Sequence, residues 1–112
     1  MFTLSLEHRY LLCGQAVDMR KSFDSLSGLV RNELSIDPRS GDVFLFIHKN
    51  RDKVKLLHWP GSSYTLYYKR LERGTFEFPR YGKPLSSIKL DYTQMVLLLD
   101  GVSIKNLHHR KR

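Results

Sequence analysis

At 112 residues, of which 41% are hydrophobic, the chain has the length of one compact domain with a real core. Its longest aliphatic runs, "VFLFI" (43–47) and "MVLLL" (95–99), exclude a membrane-spanning helix, which needs about 20 apolar residues. The net charge of +8 suits an anionic partner, and the single Cys13 excludes an internal disulfide and a cysteine-based zinc cluster.

The start, "MFTLSLEHRYLL", has no basic opening, no long apolar stretch and no small-residue cleavage site, so the sequence predicts a cytoplasmic protein. Charge is unevenly spread. Residues 1–48 hold five basic and six acidic side chains, whereas residues 49–90 hold ten basic (Lys49, Arg51, Lys53, Lys55, Lys69, Arg70, Arg73, Arg80, Lys83, Lys89) against three acidic (Asp52, Glu72, Glu77). The positive field therefore belongs to the middle of the chain. Such an excess also serves solubility in proteins that bind nothing anionic.

In chain order, "RYLLC" (9–13) reads as a short strand ended by Gly14. In "DMRKSFDSLSGLVRNELS", Met19, Phe23, Leu26, Val30 and Leu34 recur at helical spacing, which predicts an amphipathic helix of about four turns with Asp18 as N-cap. "VFLFI" reads as a strand covered on both faces. "VKLLHW" (54–59) returns from the turn "HKNRDK", and "YTLYYKRLE" (64–72) follows the turn Pro60–Ser63, giving an antiparallel meander. Alternation puts Tyr64, Leu66 and Tyr68 on the core side and Lys55, Tyr67 and Lys69 together on an outward face.

After a polar connection (78–87), Asp91 and Gln94 have capping-box spacing, Leu90 and Met95 suit a hydrophobic staple, and Gly101 marks a helix stop. Met95, Leu98, Leu99 and Val102 form the core face of this short second helix. The expected fold is α+β: a small antiparallel sheet of three or more strands packed on an N-terminal amphipathic helix, with a short C-terminal helix. Residues 1–104 form the single domain, and "HHRKR" closes a basic tail (105–112) that need not be ordered.

Nothing in the sequence suggests an active site. Asp18, Asp37, Asp42, Asp52 and Asp91 sit at caps and turns, no nucleophile elbow or phosphate-binding glycine pattern occurs, and no cofactor is implied. His48 and His58 flank a hairpin and can approach each other, but two histidines without a carboxylate make a poor zinc site, so no metal is expected. The basic strand fares better: "YYKRLER" offers cations for phosphates and rings for bases within seven residues. Arg20 and Lys21 near a helix start oppose its dipole unless they meet an acid such as Asp24 or an external anion.

Together "DMRKSFDSLSGLV", "DPRSGDVFLFIHKNRDKVKLLHW" and "YYKRLERGTFEFP" resemble the accessory proteins (TnpB type) of the insertion sequence 66 family of bacterial transposable elements, over about residues 10–104. The resemblance implies a protein that works beside a transposase, with the strand-cutting chemistry in that larger partner. It departs from the family at Phe78, where a tryptophan-like residue is common, and in the turn "HWPGSS". The function expected is a non-enzymatic DNA-binding accessory factor for transposition. Arg20, Lys21, Arg51, Lys53, Lys55, Lys69, Arg70 and Arg73 would meet phosphates, with Trp59 and Tyr67 as stacking or packing groups. The competing expectation is an adaptor that docks on the transposase without touching DNA, and a nuclease would need a metal site that the sequence does not offer.

Overall fold

Four residues, Tyr10–Cys13, form the first strand (β1), and all four are buried. In the computed structural model, which describes residues 4–18, 20–77 and 86–101, the chain then crosses over through a helix (α1, Phe23–Glu33) to a second strand (β2, Val43–Ile47). Because the crossover returns the chain to the same end, β1 and β2 run parallel, with Leu11 opposite Phe44. Strands β3 (Lys53–His58) and β4 (Thr65–Arg70) follow as antiparallel neighbours, and β5 (Ser87–Leu90) returns to pair antiparallel with β1. The resulting order is β4-β3-β2-β1-β5, a five-stranded mixed sheet.

This corrects the expected architecture. The helix does not support a small antiparallel sheet from the N-terminal side; it follows a strand, and the sheet is larger and of mixed direction. Each face has its own cover. Leu26, Val30 and Leu34 of the α1 segment pack on Leu11, Cys13, Phe44, Phe46 and Leu57. On the reverse face, Met95, Leu98 and Leu99 of the second helix (α2, Tyr92–Leu99) pack with Phe76 on Tyr10, Leu12, Leu45, Leu56 and Ile88. Strand β2, buried throughout, needs both covers: Val43, Leu45 and Ile47 face one cluster, Phe44 and Phe46 the other. Each buried aliphatic or aromatic side chain contributes about 1.5–3 kcal/mol, so these two clusters are the main hold between the layers.

The first helix is shorter than its periodicity suggests. It has 11 residues, about three turns, and its N-cap is Ser22 rather than Asp18. Phe23, expected in the core, is 41% exposed, and Met19 lies outside the described residues. The helix ends where Ser35 takes a left-handed φ of 57°, with the Leu34 and Ile36 amides both donating to the Val30 carbonyl. Asp91 does cap α2: its carboxylate accepts from the Gln94 amide at 2.7 Å, and the Gln94 side chain accepts from the Asp91 amide at 3.0 Å. Gly101, at φ 81°, ends that helix in the left-handed conformation that glycine adopts without a Cβ clash. Val102, Phe78 and the tail at 105–112 lie outside the described residues. Among those described, no helix is long and apolar enough to cross a membrane.

Candidate nucleic-acid interface

The turn between β2 and β3 organises the basic residues. His48 donates its amide to the Lys53 carbonyl at 3.0 Å, and Arg51, in a left-handed conformation (φ 62°), donates to the His48 carbonyl at 2.8 Å. The turn's outer carbonyls then capture the chain leaving β4: Asp52 accepts from Leu71 at 2.8 Å, and Arg51 from Phe76. Arg51, Lys53, Arg70 and Arg73 are thereby brought to one end of the sheet.

Register sharpens the grouping. Lys53 pairs with Arg70 and Lys55 with Tyr68, and directly opposed residues in an antiparallel pair project on the same face. The Leu71–Asp52 hydrogen bond marks its own pair as the hydrogen-bonded kind, so Lys53 and Arg70, one step along, form the closer, non-hydrogen-bonded kind. Two cations are thus held side by side in the sheet, an arrangement that costs free energy without an anion nearby. Asp52 supplies part of that anion, at 3.1 and 3.2 Å from Lys53 Nζ. The Lys53 ammonium holds the Asp52 carboxyl below the usual carboxylate range. Arg70 and Arg73 are exposed and take part in no ion pair among the described residues.

Lys55 has a different role from the one its charge suggests. It is only 8% exposed, and its Nζ donates to the Lys21 carbonyl at 2.7 Å while lying 5.6 Å from the centre of the Tyr68 ring. It ties β3 to the segment entering α1 and brings Lys21 to the basic end. The expected grouping of Lys55 with Tyr67 and Lys69 is therefore corrected: Tyr67 and Lys69 oppose Leu56 and Val54, on the α2 face. There Lys69 Nζ lies 3.8 Å from Asp100 Oδ1.

Arg20 meets a carboxylate of its own segment. Its backbone amide and guanidinium both donate to the Asp18 carboxylate, at 2.8 Å and at 2.7 to 3.0 Å, and its side chain stays 91% exposed. These hydrogen bonds, with the field of Lys49, hold the Asp18 carboxyl well below the usual range. α1 begins only at Phe23, so Arg20 and Lys21 precede it, and the acid that Arg20 meets is Asp18 rather than Asp24.

Trp59 lies at the far end of the sheet. It follows the last residue of β3, six residues beyond Lys53, which at strand rise is about 20 Å away. Its ring meets that of Tyr64 edge-on at 4.8 Å and carries Arg39 over one face at 4.7 Å, so it is a packing group. The aromatic ring that does stand among the cations is Tyr68, which the sequence reading placed in the core. It is 51% exposed, and with Arg70 it lines a shallow, open depression of about 230 Å³. Tyr67, 39% exposed, belongs to the opposite face.

The two histidines considered for zinc do not meet. His58 opposes Val43 and His48 follows Ile47, at opposite ends of β2. The His58 Nε2 donates to the Gly41 carbonyl at 3.1 Å, and the His48 Nδ1 lies 3.3 Å from the Val17 carbonyl. Among the described residues, no three His, Cys, Asp or Glu side chains gather as a metal site.

The described residues thus form a mixed sheet with a helix on each face, with cations and the exposed Tyr68 at one hairpin end. Residues 8–109 match the family described as IS66 Orf2-like protein, and the chain belongs to that family, the accessory proteins of insertion sequence 66 elements. Among curated relatives, an uncharacterized protein, y4jC, of Sinorhizobium fredii (strain NBRC 101917 / NGR234) is 39% identical over 71 residues, covering 63% of this chain and 61% of that protein. A second uncharacterized protein of the same strain, y4hO, is 32% identical over 85 residues, 76% of this chain and 72% of that one. No solved structure matches the chain.

Proposed function

We propose that the chain is a non-enzymatic accessory factor for transposition that binds DNA through the basic hairpin end, alongside the transposase of its element. Family membership supports the transposition role. The observation that carries the DNA reading is the direct pairing of Lys53 with Arg70, beside the exposed ring of Tyr68. A phosphodiester placed over that pair relieves the repulsion between the two cations and releases condensed counterions. Lys21, Lys49, Arg51 and Arg73 extend the patch, Arg20 with its Asp18 partner sits at its margin, and Lys69 lies across the sheet. Lys55 supports the patch from below and meets no phosphate itself.

Contacts of this kind give affinity with little sequence choice. The test is binding of a labelled duplex from the element's end and of a random duplex, by wild type, by Lys53→Ala with Arg70→Ala, and by Arg39→Ala at the far end. The double variant is expected to lose about tenfold or more in affinity on both duplexes, and Arg39→Ala to match wild type. Equal binding by all three proteins would overturn the proposal.

A further inference from the structure

Strand β4 ends the sheet, and its outer edge has a composition of its own. The Leu71 amide reaches β3 through Asp52, so by the alternation of an antiparallel ladder Thr65, Tyr67 and Lys69 direct their peptide groups at β3. The N–H and C=O groups of Leu66, Tyr68 and Arg70 point the other way. Among the described residues no strand lies beyond β4, and no hydrogen bond engages those three peptides. An open edge of six residues is long enough to template another strand, and proteins ordinarily blunt such edges with charge, proline or a bulge. Proline and a bulge are missing here, and the charge on the strand itself is positive, from Lys69 and Arg70. Lys53 beside it and Lys69 have Asp52 and Asp100 as partners, and Glu72 precedes Arg73 just beyond. That leaves Arg70 as the cation of the edge outside any ion pair among the described residues.

We infer that the β4 edge accepts an extended, acidic segment of a partner protein as a sixth strand, hydrogen-bonded to the peptides of Leu66, Tyr68 and Arg70. This goes beyond DNA binding, because it uses the strand's backbone where DNA would use side chains. Charge selects the occupant. A second copy of this chain brings its own +8 and its own Lys69 and Arg70 to the same edge, so self-pairing is opposed at long range. A strand with two adjacent carboxylates instead sets one beside Arg70 on one face of the sheet and the other beside Lys69 on the opposite face. The main-chain ladder provides affinity, and its acidic side chains provide choice. An apolar residue two positions from the carboxylate that meets Arg70 would lie near Tyr68, over the depression the two residues share.

The test begins with a phage-displayed library of random twelve-residue peptides selected on the full chain, followed by synthesis of the recovered sequence. The expected peptide carries adjacent Asp or Glu residues with an apolar residue two positions from one of them, and on saturation it slows amide exchange at Leu66, Tyr68 and Arg70 by about tenfold or more. Proline is tolerated on an edge strand where the amide faces outward. Tyr68→Pro and Tyr68→Ala both lose the ring, but only Tyr68→Pro loses the donor. Peptide binding is therefore expected to survive in Tyr68→Ala and to vanish in Tyr68→Pro, while duplex binding by the two variants is equal. That last comparison separates a failure of this inference from a failure of the DNA reading. Should Tyr68→Pro not fold, the exchange measurement on wild type decides alone. Peptides that bind without protecting the three amides, a selection that returns no acidic sequences, or protection that grows with the chain's own concentration in the absence of peptide would each overturn it.

Discussion

Lys55 shows how far a charged residue's role depends on which way its strand turns. In sequence it is one more cation among many; in the fold its ammonium is sheltered and spends itself on the Lys21 carbonyl and the Tyr68 ring. Removing a buried, charged donor strands its acceptor, so Lys55→Ala is expected to cost about 1–3 kcal/mol of stability in denaturant unfolding. Lys53→Ala, at the surface, is expected to cost less than about 1 kcal/mol. Equal, small losses would contradict this placement of Lys55. His58 gives a pH signature. Burial lowers its pKa below 6.5, and the neighbouring His8 ring at 4.7 Å adds to the effect, outweighing the Gly41 carbonyl and Asp42. Because the fold favours the neutral ring, the unfolded chain takes up the proton first, and stability is full above pH 6.5 and falls as pH drops below it. Denaturation midpoints between pH 8 and 5 are expected to show this decline, and His58→Gln to flatten it in that window. An unchanged slope in the variant would assign the titration elsewhere.

Element by element, local chemistry was legible and pairing was less so. The capping box at Asp91 and Gln94 was visible from spacing alone, and Asp91→Ala is expected to cost about 1 kcal/mol by thermal or chemical unfolding without changing DNA affinity. Asp18 has the look of a cap for α1, but its carboxylate closes a turn onto the Arg20 amide and leaves the cap to Ser22. Alternation separates the two faces within β3 and within β4, but not which face of one strand adjoins which face of the other. Counting outward from the turn Pro60–Ser63 sets Trp59 against Tyr64, a contact the structure contains, and the same count leads to Lys55 against Tyr68. That count, not composition, was the signal that would have found Tyr68. Lys49, one of the basic residues of the middle segment, also lies in the turn that gathers the cations.

At the scale of the whole molecule, the parallel pair of β1 with β2 is what single-strand patterns do not encode. Periodicity shows that "VFLFI" is covered on both faces, but not that a crossover through α1 places β1 at its side and β5 beyond. This pairing puts β2 at the centre of the sheet and leaves β4, among the described residues, at its edge beside the basic end. The sequence correctly located the charge in the middle of the chain; folding divides it, with Lys21, Lys49, Arg51, Lys53, Arg70 and Arg73 at the hairpin end and Lys69 across the sheet.

The most direct measurement is the affinity for a random duplex across a salt series. Six phosphate contacts give a log-log slope of about −5 on B-DNA, and removing Lys53 and Arg70 together makes it shallower by about 2. A flat dependence in wild type, or the same slope in the double variant, would contradict the account.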